Sequence, residues 1–236
     1  MNIMNVIILG GFLGSGKTTA LMQFARYLVS VSDVGVSDVS VSDVSVSDAS
    51  VSDVGVSDVS VSEPERVNKV VILENEVGEI GIDDKLLRSG GFAVNNLFSG
   101  CACCTVSGEL ITAVDRIARE MGPQWLIVET TGIAYPGLMR ENLMYALKLE
   151  SRICVLTDAA RWSRLRVPLE NLLRGQIECA DIVLINKIDL STEEALQSME
   201  LDILAFNPDV PIVRISARSE VPHDVWRSVT AQGTDT

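Results

Sequence analysis

The sequence predicts an α/β domain in which a mostly parallel central sheet is covered by helices on both faces, a three-layer sandwich. The first observation is a series of short apolar runs, each typical of a strand buried on both faces, at residues 6–9, 70–73, 126–128, 153–156, 182–185 and 212–215. The second is that segments with helical spacing of apolar residues, such as 18–29 and 106–121, separate these runs. Strands that alternate with helices favour parallel pairing, with ligands at the carboxyl ends of the strands.

Length and composition limit the functions open to this chain. With 236 residues, of which 47% are hydrophobic, it is long enough for one α/β domain with a complete core. The net charge of −13 argues against a nucleic acid partner, because binding to phosphates needs a basic surface. No apolar run approaches the roughly 18 residues of a membrane span, and no basic segment precedes the first apolar run. We therefore expect a cytoplasmic protein with no membrane partner.

A five-residue repeat, Val-Ser-Asp-Val-Ser or a close variant, interrupts the alternation over residues 31–62. A period of five matches neither a strand nor a helix, so the repeat offers no continuous apolar face. We interpret it as a low-complexity insertion that forms a mobile loop within a single domain covering residues 1–236. The alternative is an acidic tether that collects cations, since residues 31–60 contain six Asp and no Lys or Arg.

A glycine-rich loop follows the first predicted strand and opens the first predicted helix. Its sequence, GFLGSGKT at residues 11–18, matches the pattern G-x-x-x-x-G-K-[ST] in full. In this pattern backbone N–H groups surround phosphate oxygens, the lysine places its charge at the β- and γ-phosphates, and the hydroxyl binds Mg²⁺. The motif predicts a P-loop NTPase fold, with nucleotide contacts from Gly11, Gly14, Ser15, Gly16, Lys17, Thr18 and Thr19.

A second motif predicts which base is bound. Asn186, Lys187 and Asp189 form N-K-x-D directly after a predicted strand. The Asp189 carboxylate can accept hydrogen bonds from N1–H and the exocyclic amine of guanine, whereas adenine presents an acceptor at N1 and would be repelled. The two motifs together predict GTP as the nucleotide. Ser216 and Ala217, after the last predicted strand, are candidates for the loop behind the guanine.

A third motif, Glu129-Thr-Thr-Gly132, closes the apolar run 126–128. Glu129 is a candidate to hold Mg²⁺ together with Thr18, directly or through water. The N–H of Gly132 is a candidate to contact the γ-phosphate. We assign Lys17 and Glu129 as the catalytic residues of hydrolysis.

Two further segments carry candidate ligands for a transition metal. Residues 74–84 contain five acids and two glycines, which is typical of a loop ordered by a cation. Cys101, Cys103 and Cys104 place three thiols within four residues, and thiolates bind Zn²⁺ and Co²⁺ well. A tetrahedral site needs a fourth ligand, for which Glu76, Glu79, a water or a partner's residue are candidates. Redox chemistry is the alternative role for the cysteines.

Together these motifs resemble the nucleotide-binding domain of CobW-like GTPases, relatives of the GTPases that insert nickel into urease and hydrogenase. The shared segments are GGFLGSGKTT, ENEVGEIGID, GCACCT, ETTG and NKID. The resemblance implies nucleotide-gated binding of zinc or cobalt at Cys101, Cys103 and Cys104, and delivery of the metal to a client metalloenzyme or a corrinoid pathway. It also implies that Thr18, Glu129 and an acid of segment 74–84 surround Mg²⁺. The five-residue repeat has no counterpart in the family, and its usual C-terminal domain does not follow the N-K-x-D region here.

The expected function is slow hydrolysis of GTP coupled to metal delivery. Hydrolysis is expected to be slow because the sequence contains no certain water-positioning Gln and no certain arginine finger, which a homodimer or the client could supply. One alternative is a GTPase that gates a corrinoid or metalloenzyme partner without carrying metal. Another is a non-hydrolysing, metal-binding interaction module. The N-K-x-D motif argues against a P-loop kinase.

Overall fold

A single parallel sheet forms the centre of the molecule. The computed structural model describes residues 4–33, 69–74, 93–96 and 106–231. The strands within these ranges are β1 (Asn5–Gly10), β2 (Val70–Glu74), β3 (Ala93–Asn96), β4 (Trp125–Glu129), β5 (Ser151–Asp158), β6 (Ile182–Asn186) and β7 (Ile212–Arg214). Their order across the sheet is β3-β2-β4-β1-β5-β6-β7, and every neighbouring pair is parallel.

Helices cover both faces of this sheet. In the described ranges they are α1 (Lys17–Asp33), α2 (Val106–Glu120), α3 (Pro136–Leu147), α4 (Trp162–Leu165), α5 (Glu170–Ile177), α6 (Glu193–Phe206) and α7 (His223–Thr230). A 3₁₀ turn, Ile188–Leu190, lies between β6 and α6. Helices α1 and α7 pack on one face, and α2, α3, α5 and α6 pack on the other.

The core consists of two apolar clusters separated by the sheet. Successive residues of a strand point to opposite faces, so Ile8 of β1 belongs to the cluster that contains Leu143 and Ile203. Its neighbour Ile7 belongs to the cluster that contains Phe24 and the buried side chains of α7. Because both faces are covered, the central strands are continuously apolar rather than alternating. This arrangement confirms the predicted three-layer α/β sandwich with a parallel sheet.

The structure adds a strand and lengthens a helix relative to the sequence prediction. All six predicted strands are present and differ from the prediction by one or two residues at their ends. Strand β3 was not predicted, because Ala-Val-Asn-Asn has no apolar run. Helix α1 continues to Asp33, so the first three residues of the predicted insertion 31–62 belong to the helix. The hydroxyl of Ser32 donates to the carbonyl of Leu28 (2.7 Å), one turn earlier. Residues 34–62 lie outside the described ranges.

The topology brings the predicted nucleotide-binding motifs together at the carboxyl ends of the strands. β1 lies at the centre with β4 on one side and β5 on the other, so the loops that leave their carboxyl ends are neighbours. β6 lies next to β5, so the N-K-x-D segment lies at the same end of the sheet. No helix in the described parts of the chain is long and apolar enough to cross a bilayer.

Candidate nucleotide-binding site

The loop between β1 and α1 has a shape that only glycine permits at two positions. Gly11 has φ +133°, and a Cβ there would lie 2.1 Å from the carbonyl oxygen of Leu156. Gly16 has φ +94°, and its Cβ would lie 2.4 Å from Nδ2 of Asn186. Both backbone conformations are ones that L side chains rarely adopt, and both positions lie in close contact with a neighbouring strand end. The loop therefore has the tight curvature that allows backbone N–H groups to surround phosphate oxygens.

Lys17, the first residue of α1, folds back over this loop. Its side chain is buried, and Nζ donates to the carbonyl oxygen of Gly11 (3.0 Å) and lies 3.5 Å from that of Phe12. The ammonium is thus held over the loop at the N-terminus of α1, where the helix dipole also favours an anion. This position suits a group that places a positive charge at the β- and γ-phosphates. Thr19, predicted as a further nucleotide contact, is exposed in the same helical turn.

Two oxygen ligands suitable for Mg²⁺ lie beside the phosphate loop. The hydroxyl of Thr18 donates to Oε1 of Glu129 over 3.0 Å, which joins the start of α1 to the end of β4. Glu74 ends β2 in register with Glu129 and is buried. Hydroxyl and carboxylate oxygens are the ligands that Mg²⁺ prefers, so Thr18 and Glu129 fit this ion. The sequence placed Glu74 in an acidic loop, whereas the structure makes it the last residue of a strand.

Asn186 joins the base motif to the phosphate loop. Its buried side chain donates through Nδ2 to the carbonyl oxygen of Ser15 (2.8 Å). Its Oδ1 accepts from the backbone N–H groups of Lys187 (2.8 Å) and Ala217 (2.9 Å). One amide therefore fixes three segments that are distant in sequence: the phosphate loop, the N-K-x-D segment and the loop after β7. The structure brings these predicted residues together.

Lys187 makes a second connection to the phosphate loop. Its backbone is left-handed (φ +65°), and Nζ donates to the carbonyl oxygen of Gly14 (2.6 Å) and to Oδ2 of Asp158 (2.7 Å). The same Oδ2 accepts from Nε of Arg161 (2.6 Å), while Nη2 of Arg161 donates to the carbonyl oxygen of Leu13 (2.5 Å). Asp158 thus orients two cations that each hold one peptide of the loop.

The pKa of Asp158 is set by its burial and by the two cations beside it. The Asp158 side chain is 1% exposed, and burial alone would raise the pKa of its carboxyl. The hydrogen bonds and charges of Lys187 and Arg161 outweigh that effect and hold the pKa of Asp158 below its ordinary value. The motifs of the sequence did not predict a role for Asp158 or Arg161. The available signal was an acid at the carboxyl end of a buried strand, the same position that identified Glu129.

Asp189 is the residue that the sequence predicts to contact guanine. It lies in the 3₁₀ turn, is exposed, and its Oδ1 accepts a hydrogen bond from the hydroxyl of Ser216 (2.6 Å). Ser216 therefore orients the carboxylate, while its neighbour Ala217 is buried. Gly132, the last residue of E-T-T-G, is buried against the phosphate loop, since a Cβ there would lie 2.5 Å from the backbone nitrogen of Leu13.

The predicted transition-metal ligands fall elsewhere in the chain. Glu76, Cys101, Cys103 and Cys104 lie outside the described residues. Within the described ranges, no group of three or more His, Cys, Asp or Glu side chains could hold a metal ion. Burial raises the pKa of Cys154 to about 12 and also raises that of Cys179, so neither thiol is activated near neutral pH.

The sheet order, the phosphate loop and the N-K-x-D segment define a nucleotide-binding domain of the P-loop NTPase fold. The model of the family described as "CobW/HypB/UreG, nucleotide-binding domain" matches residues 59–214. The chain belongs to this family.

Curated relatives agree with that assignment, and a solved structure shares the fold. The chain is 26% identical to "Zinc-regulated GTPase metalloprotein activator 1" of Dictyostelium discoideum over 92% of this chain and 46% of that protein. It is also 26% identical to "Zinc chaperone YeiR" of Escherichia coli, over 82% of this chain and 49% of that one. Zn(II)-bound YjiA GTPase from Escherichia coli superposes with a TM-score of 0.59 at 18% identity, over 98% of this chain and 64% of that chain. The chain thus spans about half the length of the curated relatives it matches.

Proposed function

We propose that this chain binds GTP with Mg²⁺, hydrolyses it slowly, and uses the cycle to control a bound zinc or cobalt ion that is passed to a client protein. The observation that carries the nucleotide part is the double connection from the N-K-x-D segment to the phosphate loop, through Asn186 to Ser15 and through Lys187 to Gly14. The two halves of a guanine nucleotide site are thereby held at a fixed relative position, as binding a base and a phosphate chain at once requires.

The residues then have distinct roles. Asp189 accepts hydrogen bonds from guanine and rejects adenine, with Ser216 orienting its carboxylate. The N–H groups of the glycine loop and the Lys17 ammonium bind the phosphates. Thr18 and Glu129 hold Mg²⁺, which neutralises the charge that develops on the phosphate oxygens. Gly132, packed against Leu13, presents its N–H to the γ-phosphate.

The metal part of the proposal rests on the cysteine loop and on the relatives. Cys101, Cys103 and Cys104 would supply thiolates, and Glu76 is a candidate fourth ligand. Relatives that match most of this chain are named zinc chaperones or a zinc-regulated activator. The client is a metalloenzyme or a corrinoid-pathway protein, and a homodimer or the client supplies the group that accelerates hydrolysis.

A cobalt titration followed by absorption tests the metal part. The protein is titrated with Co²⁺ in the presence of Mg²⁺ and either a non-hydrolysable GTP analogue or GDP. We expect sulfur-to-cobalt charge-transfer bands that form tightly with the analogue and weakly with GDP, and their loss in a Cys101→Ser, Cys103→Ser variant. Absence of the bands in both nucleotide states would overturn metal binding at the cysteines. If GTP hydrolysis and client activation then survived cysteine removal, the chain would gate its client without carrying metal.

A further inference from the structure

The loop after β4 starts beside the end of β1 and contacts the phosphate loop at Gly132. The N–H of Thr130 donates to the carbonyl oxygen of Leu9 over 3.0 Å. Gly132 lies against Leu13 so closely that no side chain fits between them. The N–H of Ala134 then donates to the carbonyl oxygen of Thr131 (3.1 Å), which closes a turn. The turn is therefore held directly against the phosphate loop through Gly132.

A single buried amide holds the turn from the opposite side. Gln176 on α5 is 1% exposed, and its Nε2 donates to the carbonyl oxygens of Gly132 (3.2 Å) and Ala134 (2.9 Å). These two acceptors lie on either side of Ile133, whose side chain is 64% exposed. Because Ile133 points into solvent, it does not fix the turn by packing. The peptides around it are oriented by the Gln176 hydrogen bonds together with the Ala134–Thr131 hydrogen bond and the contact with Leu13.

Gly175, the residue before Gln176 on α5, lets the helix pack closely against the same loop. A Cβ at Gly175 would lie 2.6 Å from Cε1 of Tyr135, so the ring of Tyr135 rests on the bare helix backbone. Residues 132–135 therefore pack on α5 at two points. Gly175 leaves space for the Tyr135 ring, and Gln176 donates hydrogen bonds to the backbone. Burying a primary amide costs free energy unless its donors are hydrogen-bonded, so these contacts favour one arrangement of the loop.

We propose that Gln176 is a positioning residue through which the Gly132 loop distinguishes a nucleoside triphosphate from a diphosphate. This inference rests on the proposed function, in which the N–H of Gly132 contacts the γ-phosphate. The amide fixes the peptide between Gly132 and Ile133, which limits the backbone rotation of Gly132 and so restricts the direction of the Gly132 N–H in the preceding peptide. Its loss affects binding of the triphosphate more than binding of the diphosphate, because a diphosphate has no group at that position.

The test compares two affinities in three proteins. Dissociation constants for a non-hydrolysable GTP analogue and for GDP, both with Mg²⁺, are measured by calorimetry on wild type, Gln176→Met and Leu173→Ala. Met keeps the length of the side chain but has no donor. Leu173 is a buried residue of the same helix that makes no hydrogen bond to the loop, so its truncation reports the effect of weaker packing without the loss of a donor.

We expect Gln176→Met to lower the preference for the analogue over GDP by about tenfold, and Leu173→Ala to leave it unchanged. If Gln176→Met does not fold, Gln176→Leu is used, since it also removes both donors and buries no charge. An unchanged preference in the folded Gln176 variant, with wild-type affinity for GDP intact, overturns the positioning role and leaves the proposed function standing. Failure of wild type to bind either guanine nucleotide overturns both.

Discussion

In the proposed function, Asp189 is the residue that selects the base. Its exposed carboxylate, oriented by Ser216, offers two acceptors, which suit N1–H and the amine of guanine. In Asp189→Asn one acceptor becomes a donor, which suits the 2-carbonyl of xanthine instead. We expect GTP affinity to fall about a hundredfold or more while XTP affinity rises, measured by competition with a fluorescent nucleotide. Asp209→Asn, an exposed change away from the site, is the matched control. Undiminished GTP binding by Asp189→Asn would remove Asp189 from the base site.

Asp158 acts on stability through its ionised form. Its pKa in the folded protein is lowered relative to the unfolded value of about 3.9, so its contribution is present above that pH and is lost as the pH falls through the folded pKa. We expect Asp158→Asn to cost about 1–2 kcal/mol at pH 7, because Lys187 and Arg161 lose their shared anion. The difference from wild type in thermal unfolding shrinks below about pH 4.

A surface pair provides the control for that measurement. Asp115 and Arg119 form an exposed i,i+4 ion pair on α2, so Asp115→Asn is expected to change stability by less than about 0.5 kcal/mol at any pH. A pH-independent loss in Asp158→Asn would mean that shape alone, rather than the charge of Asp158, holds Lys187 and Arg161 in place.

Two glycines show how the same substitution differs between elements. In the phosphate loop, Gly16→Ala places a methyl group 2.4 Å from Nδ2 of Asn186 on a backbone with φ +94°. In α2, a Cβ at Gly108 meets nothing within 4 Å. We expect Gly16→Ala to weaken GDP binding more than about tenfold, because it separates Asn186 from Ser15. Gly108→Ala is expected to stabilise the fold by about 0.5–1 kcal/mol without changing the affinity. Calorimetry gives the GDP affinity of both variants, and thermal unfolding gives their stability. Equal GDP affinities of Gly16→Ala and Gly108→Ala would contradict the role of the phosphate loop.

How far each element was predictable from sequence depends on how local its signal is. Strands such as β1 and β6 were predicted to within a residue or two, because an apolar run buried on both faces is visible in the run itself. β3 was missed because its four residues carry no such run and its position depends on pairing with β2. A helix end was misplaced for a related reason: the serines after Val29 continue α1 although their pattern is that of the repeat.

The site shows the same division. The phosphate loop and the N-K-x-D segment were predictable because consecutive residues carry their chemistry. Arg161 and Gln176 were not, since each is a single residue whose role appears only through contacts with Leu13 and Gly132, 148 and 44 positions away. Glu74 was assigned to the wrong element because its strand continues one residue beyond the apolar run.

At the scale of the whole molecule, the parallel sheet places the phosphate loop and the N-K-x-D segment at one edge although 171 positions separate Ser15 from Asn186. The E-T-T-G loop joins that edge through Gly132. A ligand that orders this edge stabilises the arrangement of all three loops. Any second ligand that binds a loop reaching the same edge is then coupled to the nucleotide, because both favour the same conformation.

The proposed function requires that coupling to run in both directions. If a GTP analogue raises the affinity for Co²⁺ by some factor, Co²⁺ must raise the affinity for the analogue by the same factor. We expect a factor of about ten or more in wild type and of one in Cys101→Ser, Cys103→Ser, obtained from the dissociation constants of each ligand with and without the other. A factor of one in wild type would separate metal binding from the nucleotide cycle and overturn gated delivery. Unequal factors in the two directions would show that Co²⁺ also binds elsewhere, as acidic side chains on a chain of net charge −13 allow.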